Sequence, residues 1–307
     1  MTTRDTAWPN GTPCWVDYGA ADIDATKRFY ADLLGWEYTG GEPEFGGYLT
    51  ATRNGEQAAG LGPQQDPNDP PRWTTYFATD DAAATAARIR DAGGTVLAEP
   101  MEVGPMGTMV IALDPQGNPF GLWQSGMNTG VQIHNEPGAL AWNEAMVDDT
   151  AAAKQFYSTV FGFTFDQMDA ETAGQGSDGE AIDYATFSTG GNPLGGLGGS
   201  DPKFPKGWVT CFAVSSTDEA VAAVEANGGK AIMPAMDTPF GRFAVVKDPG
   251  GRRSRSWARP PADGRAVGPA VLSRAADRRC ARAGSGRRGA GRSPSRRGSR
   301  PSRGARR

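Results

Sequence analysis

The stretch that decides the fold runs from Trp15 to Trp36 and reads Trp-Val-Asp-Tyr-Gly-Ala-Ala-Asp-Ile-Asp-Ala-Thr-Lys-Arg-Phe-Tyr-Ala-Asp-Leu-Leu-Gly-Trp. Its first part is typical of a strand, whose period of two places Trp15 and Asp17 on the same face. Its second part predicts a helix that Asp22 caps and that Gly35 ends in a left-handed conformation. The stretch therefore predicts one strand followed by one helix.

The same pattern returns at an offset of 127 positions, where Trp142, Glu144 and Asp149 stand in the places of Trp15, Asp17 and Asp22. After each copy come short strands, a second strand and helix, and further strands. We infer an α+β fold of four βαβββ modules in two tandem domains. The predicted boundaries are 11–126 for the first domain, 127–137 for the linker, 138–251 for the second domain and 252–307 for a tail.

Cysteine content and hydropathy indicate the cellular compartment of the protein. The chain has three cysteines, which are far apart and odd in number, so a disulfide framework is not expected. The N-terminal segment lacks the apolar core of a signal peptide, and no apolar run is long enough to cross a bilayer. We therefore expect a soluble, cytoplasmic protein without a membrane partner.

Charge divides the chain into two unequal parts. Residues 252–307 hold 18 of the 31 basic residues, all arginine, and two acids, whereas the preceding residues hold 13 basic and 33 acidic ones, a formal −20. An arginine-rich segment with so few apolar residues is typical of a disordered tail. Clustered arginines also suit phosphate contacts, so nucleic-acid association stays open as an alternative function, although we do not expect a nucleic-acid partner.

A frameshift is a third interpretation of the tail. The turn Asp114-Pro-Gln-Gly117 leads into the strand Pro119–Gln124, whereas the matching turn Asp248-Pro-Gly-Gly251 leads into Arg-Arg-Ser-Arg-Ser-Trp. A reading frame displaced by two bases can encode Pro-Phe-Ser-Val-Leu-Gly there, which resembles the first-domain strand. On this hypothesis the last strand of the second domain is missing. The edge so exposed would favour aggregation or repair in a homodimer.

These motifs give the chain a family resemblance. The Asp-x6-Phe-Tyr-x4-Gly start, the Gly-Gly after the second helix and the Asp-Pro-x-Gly turn resemble the vicinal oxygen chelate superfamily, which includes glyoxalase I, bleomycin-resistance proteins and extradiol dioxygenases. The tandem form resembles an actinobacterial two-domain subgroup of glyoxalase- and hydroxylase-like proteins. The resemblance covers about residues 11 to 251 and implies that each domain curls its sheet into a cup.

The resemblance also implies a metal site, because catalytic members bind a divalent cation with His, Gln or Glu from the first, fourth, fifth and eighth strands. Here the first-strand position falls on Trp15 and Trp142, and the fifth-strand position on Thr74 and Val209. The eighth-strand position falls on Gly121, and the predicted fourth strands, Gln57–Leu61 and Leu194–Leu197, contain no acid. The single histidine, His134, lies in the linker. We therefore expect no metal and no cofactor in the cups.

Alternation from these positions predicts what lines each cup instead. Asp17 and Glu144 are the candidate catalytic carboxylates, because burial against tryptophan raises the pKa of a carboxyl group and makes it a base. Structural pairing with an amide or an arginine is the alternative role for both. The candidate ligand-binding residues are Trp15, Thr74, Tyr76, Trp123, Trp142, Cys211 and Arg242. Among these, Cys211 also suits a buried apolar position, and Arg242 also suits a solvated one.

Three functions are consistent with these features. The first is binding of a small aromatic or hydrophobic molecule in metal-free cups, as in resistance or sequestration proteins. The second is a lyase, isomerase or hydroxylase-type enzyme that uses Asp17 or Glu144 as its base. The third is nucleic-acid association through the tail.

Overall fold

The computed structural model describes residues 3–66, 71–173, 179–202, 206–250 and 253–258. The first two modules are β1 (Pro13–Ala20), α1 (Ile23–Leu34), β2 (Glu37–Gly40), β3 (Leu49–Arg53), β4 (Glu56–Pro63), β5 (Arg72–Ala78), α2 (Ala82–Asp91), β6 (Thr95–Glu102), β7 (Gly107–Leu113) and β8 (Pro119–Ser125). The next two are β9 (Leu140–Val147), α3 (Thr150–Phe161), β10 (Thr164–Gln167), the short α4 (Ala170–Ala173), β11 (Tyr184–Ser188), β12 (Gly195–Gly199), β13 (Gly207–Val214), α5 (Thr217–Ala226), β14 (Lys230–Thr238), β15 (Gly241–Lys247) and β16 (Arg253–Ala258).

Each domain forms one eight-stranded mixed sheet with the same topology. The strand order is β2-β3-β4-β1-β5-β8-β7-β6 in the first domain and β10-β11-β12-β9-β13-β16-β15-β14 in the second. The first strand of each domain is central, since β1 pairs in parallel with β4 and antiparallel with β5. The predicted α+β fold of four βαβββ modules is confirmed.

The local signals act as the sequence predicts. The Asp22 carboxylate accepts a hydrogen bond from the Ala25 amide at 2.9 Å, and Gly35 ends α1 with φ +68°. Asn54 and Gly55 both have positive φ and join β3 to β4 in a tight hairpin. Among the described residues, none of the helices is both long and apolar enough to cross a membrane.

The structure differs from the sequence prediction at the end of the second domain. Arg253–Ala258 forms β16, parallel to β13 and antiparallel to β15, where the sequence predicted a missing strand. Sheet pairing uses backbone amides and carbonyls, which almost any sequence supplies, so the arginine-rich composition did not exclude a strand. The predicted boundary at residue 251 therefore falls inside the sheet. Residues 259–307 lie outside the described residues, so the frameshift and the tail's disorder remain hypotheses.

The core is shared between the two domains. Helix α1 packs against α5, and α2 packs against α3. One buried cluster joins Trp36 and Trp73 of the first domain to Phe212 and Val224 of the second. The other joins residues such as Phe120 to the aromatic side chains Phe156, Tyr157, Phe161 and Trp208. The helices and the opposite domain thus bury mainly the central strands of each sheet.

Two equivalent hydrogen-bonded clusters cross this interface. Trp208 Nε1 donates to Tyr157 Oη at 2.8 Å, and Tyr157 Oη donates to the carboxylate of Asp114 at 3.0 Å. In the counterpart, Trp73 Nε1 donates to Tyr30 Oη at 3.0 Å, and Tyr30 lies 3.4 Å from Asp248. Each Asp-Pro turn therefore receives the helix tyrosine of the opposite domain.

Candidate functional site

The centre of the first cup lies where β1, β4, β5 and β8 meet. Strand register pairs Trp15 with Tyr76 and Asp17 with Thr74, and it pairs Tyr76 with Gly121 on β8. Residues paired in this way share one face of the sheet. The structure therefore brings the predicted residues of this cup onto one surface.

Asp17 accepts hydrogen bonds from two tyrosines. The hydroxyl of Tyr76 donates to Asp17 Oδ2 at 3.0 Å, and that of Tyr48 lies 3.5 Å from the same oxygen. Tyr48 Oη in turn accepts a hydrogen bond from Trp15 Nε1 at 2.9 Å. We call Trp15, Tyr48, Asp17 and Tyr76 the first relay.

Burial sets the protonation states within the first relay. Desolvation raises the pKa of Asp17 to about 6, against the opposing effect of the hydrogen bonds from Tyr76 and Tyr48. Desolvation, followed by the negative charge of Asp17, raises the pKa of both tyrosines well above the usual value. The phenols therefore remain protonated donors at neutral pH, while the carboxyl group titrates close to neutrality.

Glycines make room for both tyrosine rings. A Cβ added at Gly60 would lie 1.8 Å from Tyr48 Oη, and one added at Gly121 would lie 2.1 Å from a ring carbon of Tyr76. Real non-bonded carbon atoms do not approach so closely. The tyrosines therefore occupy the space that larger residues on β4 and β8 would fill.

The second cup repeats part of this arrangement. Trp142 Nε1 donates to Tyr184 Oη at 3.1 Å, and Tyr184 Oη donates to Glu144 Oε2 at 2.9 Å. Desolvation raises the pKa of Tyr184, so it too remains a donor. Gly196 stands in the place of Gly60, because its added Cβ would lie 1.8 Å from Tyr184 Oη. Trp142, Tyr184 and Glu144 form the second relay.

The two cups differ in the residues that surround their relays and in the exposure of their carboxylates. The place of Tyr76 is taken by Cys211, a fully buried thiol that pairs in register with Trp142. Val209 replaces Thr74 beside the carboxylate. Glu144 is buried, with 3% of its surface exposed, whereas Asp17 is only partly buried. The first cup therefore offers a more accessible carboxylate.

Two of the predicted site residues, Trp123 and Arg242, are bonded to groups outside the relays. Trp123 shares the cup face by register, but its indole donates to the Asn128 carbonyl at 2.8 Å in the segment after β8. Arg242 binds Asp218 at the start of α5 and Asp237 on β14, at 2.8 and 3.1 Å. Arg242 thus belongs to an ion-pair cluster beside α5, and the structure does not bring it to the second relay.

Tyr48 and Tyr184 are the site residues that sequence reasoning missed. Tyr48 immediately precedes β3 and Tyr184 begins β11, the strands that pair with β4 and β12. The available signal was the repeated Gly60-Leu-Gly62 and Gly196-Leu-Gly198, whose first glycines face the tyrosine hydroxyls. A glycine repeated at a sheet centre indicates that another group approaches the backbone closely.

The residues present do not fit a metal centre. Trp15, Thr74 and Gly121 occupy three of the positions where the resemblance implies metal ligands, and the ring of Tyr76 fills the space beside Gly121. Within the described ranges, no group of three or more His, Cys, Asp or Glu side chains is close enough to hold an ion. His134 packs edge-on against Trp8, in the segment between the domains. One carboxylate bonded by tyrosines is not the donor set of zinc or ferrous sites.

Sequence relatives match most of the chain. "Putative glyoxylase CFP32" of Mycobacterium tuberculosis is 37% identical over 248 residues, which are 78% of this chain and 92% of the relative. "Anthracycline biosynthesis protein DnrV" of Streptomyces peucetius is 35% identical over 265 residues, 80% of this chain and 92% of the relative. "Anthracycline biosynthesis protein DauV" of Streptomyces sp. strain C5 is 33% identical with the same coverage.

Solved structures share the fold at low identity. The Mn(II)-bound glyoxalase of Novosphingobium aromaticivorans has a TM-score of 0.57 at 16% identity, covering 83% of this chain and 89% of its own. The 2,3-dioxygenase LapB of Pseudomonas sp. KL28 has a TM-score of 0.57 at 17% identity, covering 84% and 96%. The family profile matches twice, at residues 15–122 and 139–253. The chain therefore belongs to the Glyoxalase/Bleomycin resistance protein/Dioxygenase superfamily.

Proposed function

We propose that this protein binds a small aromatic molecule in its cups without using a metal ion. The observation that carries the proposal is the Trp-Tyr-carboxylate relay, which recurs in both domains. In each domain a tryptophan stands at the position where the resemblance implies a metal ligand. A tryptophan with a fixed indole N–H provides a rigid aromatic wall, and the carboxylate provides a polar group that orients a ligand.

The ligand class follows from this lining. The first cup combines the aromatic side chains of Trp15, Tyr48 and Tyr76 with one partly buried carboxylate, which suits a planar ring system with a polar substituent. Two relatives are named for anthracycline biosynthesis, and this favours a polycyclic aromatic ligand. Binding or sequestration of such a molecule requires no cofactor.

An enzymatic function is the second candidate, and the ionisation of Asp17 favours it. A carboxyl group whose pKa burial raises to about 6 can exchange a proton with a ligand near neutral pH. Glu144, the counterpart in the second relay, is the other candidate base. In this case Asp17→Asn abolishes turnover, whereas circular dichroism shows that the variant remains folded. Unchanged turnover in the variant would exclude Asp17 as the base.

Ligand binding and metal content can be tested together on the full chain. Native mass spectrometry with a panel of polycyclic aromatic compounds should show a complex, and tryptophan fluorescence should be quenched on titration. Treatment with a chelator should leave the affinity unchanged, and elemental analysis should find less than stoichiometric zinc, iron, nickel or manganese. A stoichiometric metal whose removal abolishes ligand binding would contradict the proposal, as would the absence of any complex.

Trp15→Leu tests whether the ligand lies in the first cup. The substitution removes the aromatic wall and the donor to Tyr48, so affinity should fall by about tenfold, which corresponds to about 1.4 kcal/mol. Trp8→Leu is the matched control, because Trp8 packs beside His134 between the domains and donates to the Val131 carbonyl. Equal losses in the two variants would indicate a general effect on folding.

A further inference from the structure

We propose that the ligand occupies the cup of the first domain and carries a protonated amine on its aromatic ring system, which binds the carboxylate of Asp17. This inference rests on the proposed function, because it names the occupied cup and the charge of the ligand. It predicts that only one of the two cups is occupied, although each contains a Trp-Tyr-carboxylate relay.

The hydrogen bonds of Asp17 leave one oxygen available to a ligand. Both tyrosine hydroxyls approach Oδ2, at 3.0 Å from Tyr76 and 3.5 Å from Tyr48. Among the described residues, no donor binds Oδ1. The side chain is partly exposed, so a donor on a ligand can reach this oxygen from the cup. An ionised carboxylate binds an ammonium group through a short, charge-assisted hydrogen bond.

Within the part of the chain that the structure describes, the charge of Asp17 is met by hydroxyl groups and not by a cation. Its hydrogen-bonding partners are neutral phenols, and burial outweighs their effect on its ionisation. Arg72 lies on the same face at the start of β5, in register with Gly19. The side chains that bond Asp17 and affect its ionisation are Tyr76 and Tyr48. A cationic ligand would therefore neutralise a partly desolvated charge, whereas an anionic ligand would be repelled.

The second cup lacks these properties. Glu144 is 3% exposed, and Cys211 and Val209 replace the tyrosine and threonine that flank Asp17. A buried glutamate beside a thiol and an apolar side chain offers less polar surface to a ligand. The geometry therefore points to one occupied cup in each chain.

Three substituted anthracenes test the inference on the full chain by isothermal titration calorimetry. The aminomethyl, methyl and carboxyl derivatives share a ring system and differ in the charge of one substituent. The amine should bind with a stoichiometry of one per chain and about tenfold more tightly than the methyl compound, since tenfold corresponds to about 1.4 kcal/mol. The carboxylate should bind more weakly than the methyl compound. This ranking is measured on the wild type and requires no variant.

Asp17→Asn should remove the advantage of the amine over the methyl compound, because the charged contact is lost. Asp32→Asn, which changes an exposed aspartate on α1, is the control and should keep the ranking. Equal or tighter binding of the carboxylate, two amines per chain, or an unchanged ranking in Asp17→Asn would overturn the inference while leaving the proposed function intact. No binding of any derivative would overturn both.

Discussion

The two domains share a framework and differ in the chemistry that the framework carries. Both relays connect a tryptophan through a tyrosine to a carboxylate, and both depend on a glycine opposite the tyrosine hydroxyl. In the first cup a second tyrosine donates to a partly exposed aspartate, whereas in the second cup the corresponding place holds a buried cysteine. A few substitutions on one sheet face therefore distinguish the two sites, although the topology is the same.

The interdomain clusters differ in a similar way. Asp114 is buried and accepts hydrogen bonds from the Gln116 and Asn118 amides, the Asn118 side chain and Tyr157, at 2.8 to 3.0 Å. Gln116 also exchanges two hydrogen bonds with the backbone of Asp149 at the start of α3. In the second domain Gly250 stands in the place of Gln116, and Tyr30 lies 3.4 Å from Asp248. We expect the turn at Asp114 to stabilise the interface more strongly.

The largest predicted effect is that of Asp114→Ala on the free energy of unfolding. The substitution leaves several buried donors without an acceptor and should cost about 4 kcal/mol. Chemical denaturation monitored by tryptophan fluorescence measures the loss. Asp248→Ala provides the comparison and should cost less, because its tyrosine contact is longer. Equal losses of unfolding free energy in the two variants would show that the two interdomain clusters stabilise the protein equally.

Asp17→Asn should change the pH dependence of stability. The pKa of Asp17 is raised from 3.8 to about 6 in the folded state. The stabilisation linked to protonation of Asp17 is therefore fully present below the pKa of the unfolded state, 3.8, and is lost as the pH rises through about 6. The asparagine variant should thus gain stability relative to the wild type between pH 4 and 7, by at most about 3 kcal/mol.

Urea unfolding at several pH values measures this difference between Asp17→Asn and the wild type. The exposed control Asp32→Asn should follow the wild-type curve in shape. A constant difference between Asp17→Asn and the wild type across this range would show that the Asp17 carboxyl group is solvated as in the unfolded chain. The difference between the two cups would then rest on the exposure and lining of their carboxylates, and not on the pKa of Asp17.

Gly121→Ala should destabilise the first cup through steric overlap. The added methyl group would lie 2.1 Å from a Tyr76 ring carbon, so the ring must move and its hydrogen bond to Asp17 must lengthen. Overpacking of this kind costs about 2 kcal/mol. Gly191→Ala is the control, because nothing lies within 4 Å of its added Cβ. If thermal unfolding of Gly121→Ala matched that of the control, Tyr76 would not be fixed in this position.

The sequence predicted the framework because its signals are local and repeated. The caps at Asp22 and Gly35 and the Asn54-Gly55 hairpin depend on a few neighbouring residues, so periodicity and turn chemistry identify them directly. The face shared by Trp15, Asp17 and Tyr76 followed from alternation combined with the family resemblance. Strand register bears out that shared face.

The rest depended on contacts that are distant in sequence. Tyr48 reaches Asp17 across β4, and alternation within its own segment gives no sign of that contact. Arg242 is engaged by Asp218 because α5 begins beside β15, a tertiary arrangement that spacing along the chain does not encode. Composition at residues 253–258 indicated a tail, but backbone pairing with β13 and β15 extends the sheet through them. Long-range pairing therefore outweighed local composition.

The smallest predicted effect compares two equivalent threonines at the domain interface. Thr75 donates to Asn143 Oδ1 at 2.9 Å across the interface, whereas buried Thr210 Oγ1 has no hydrogen-bond partner among the described residues. Thr75→Val should therefore cost about 1 kcal/mol, and Thr210→Val should stabilise the protein by up to about 1 kcal/mol, because an unpaired buried hydroxyl is replaced by a methyl group of similar shape. Paired urea titrations measure both changes. Opposite signs would show that the two threonine hydroxyls contribute differently to stability. Equal losses of stability would show that the Thr210 hydroxyl has a hydrogen-bond partner in solution.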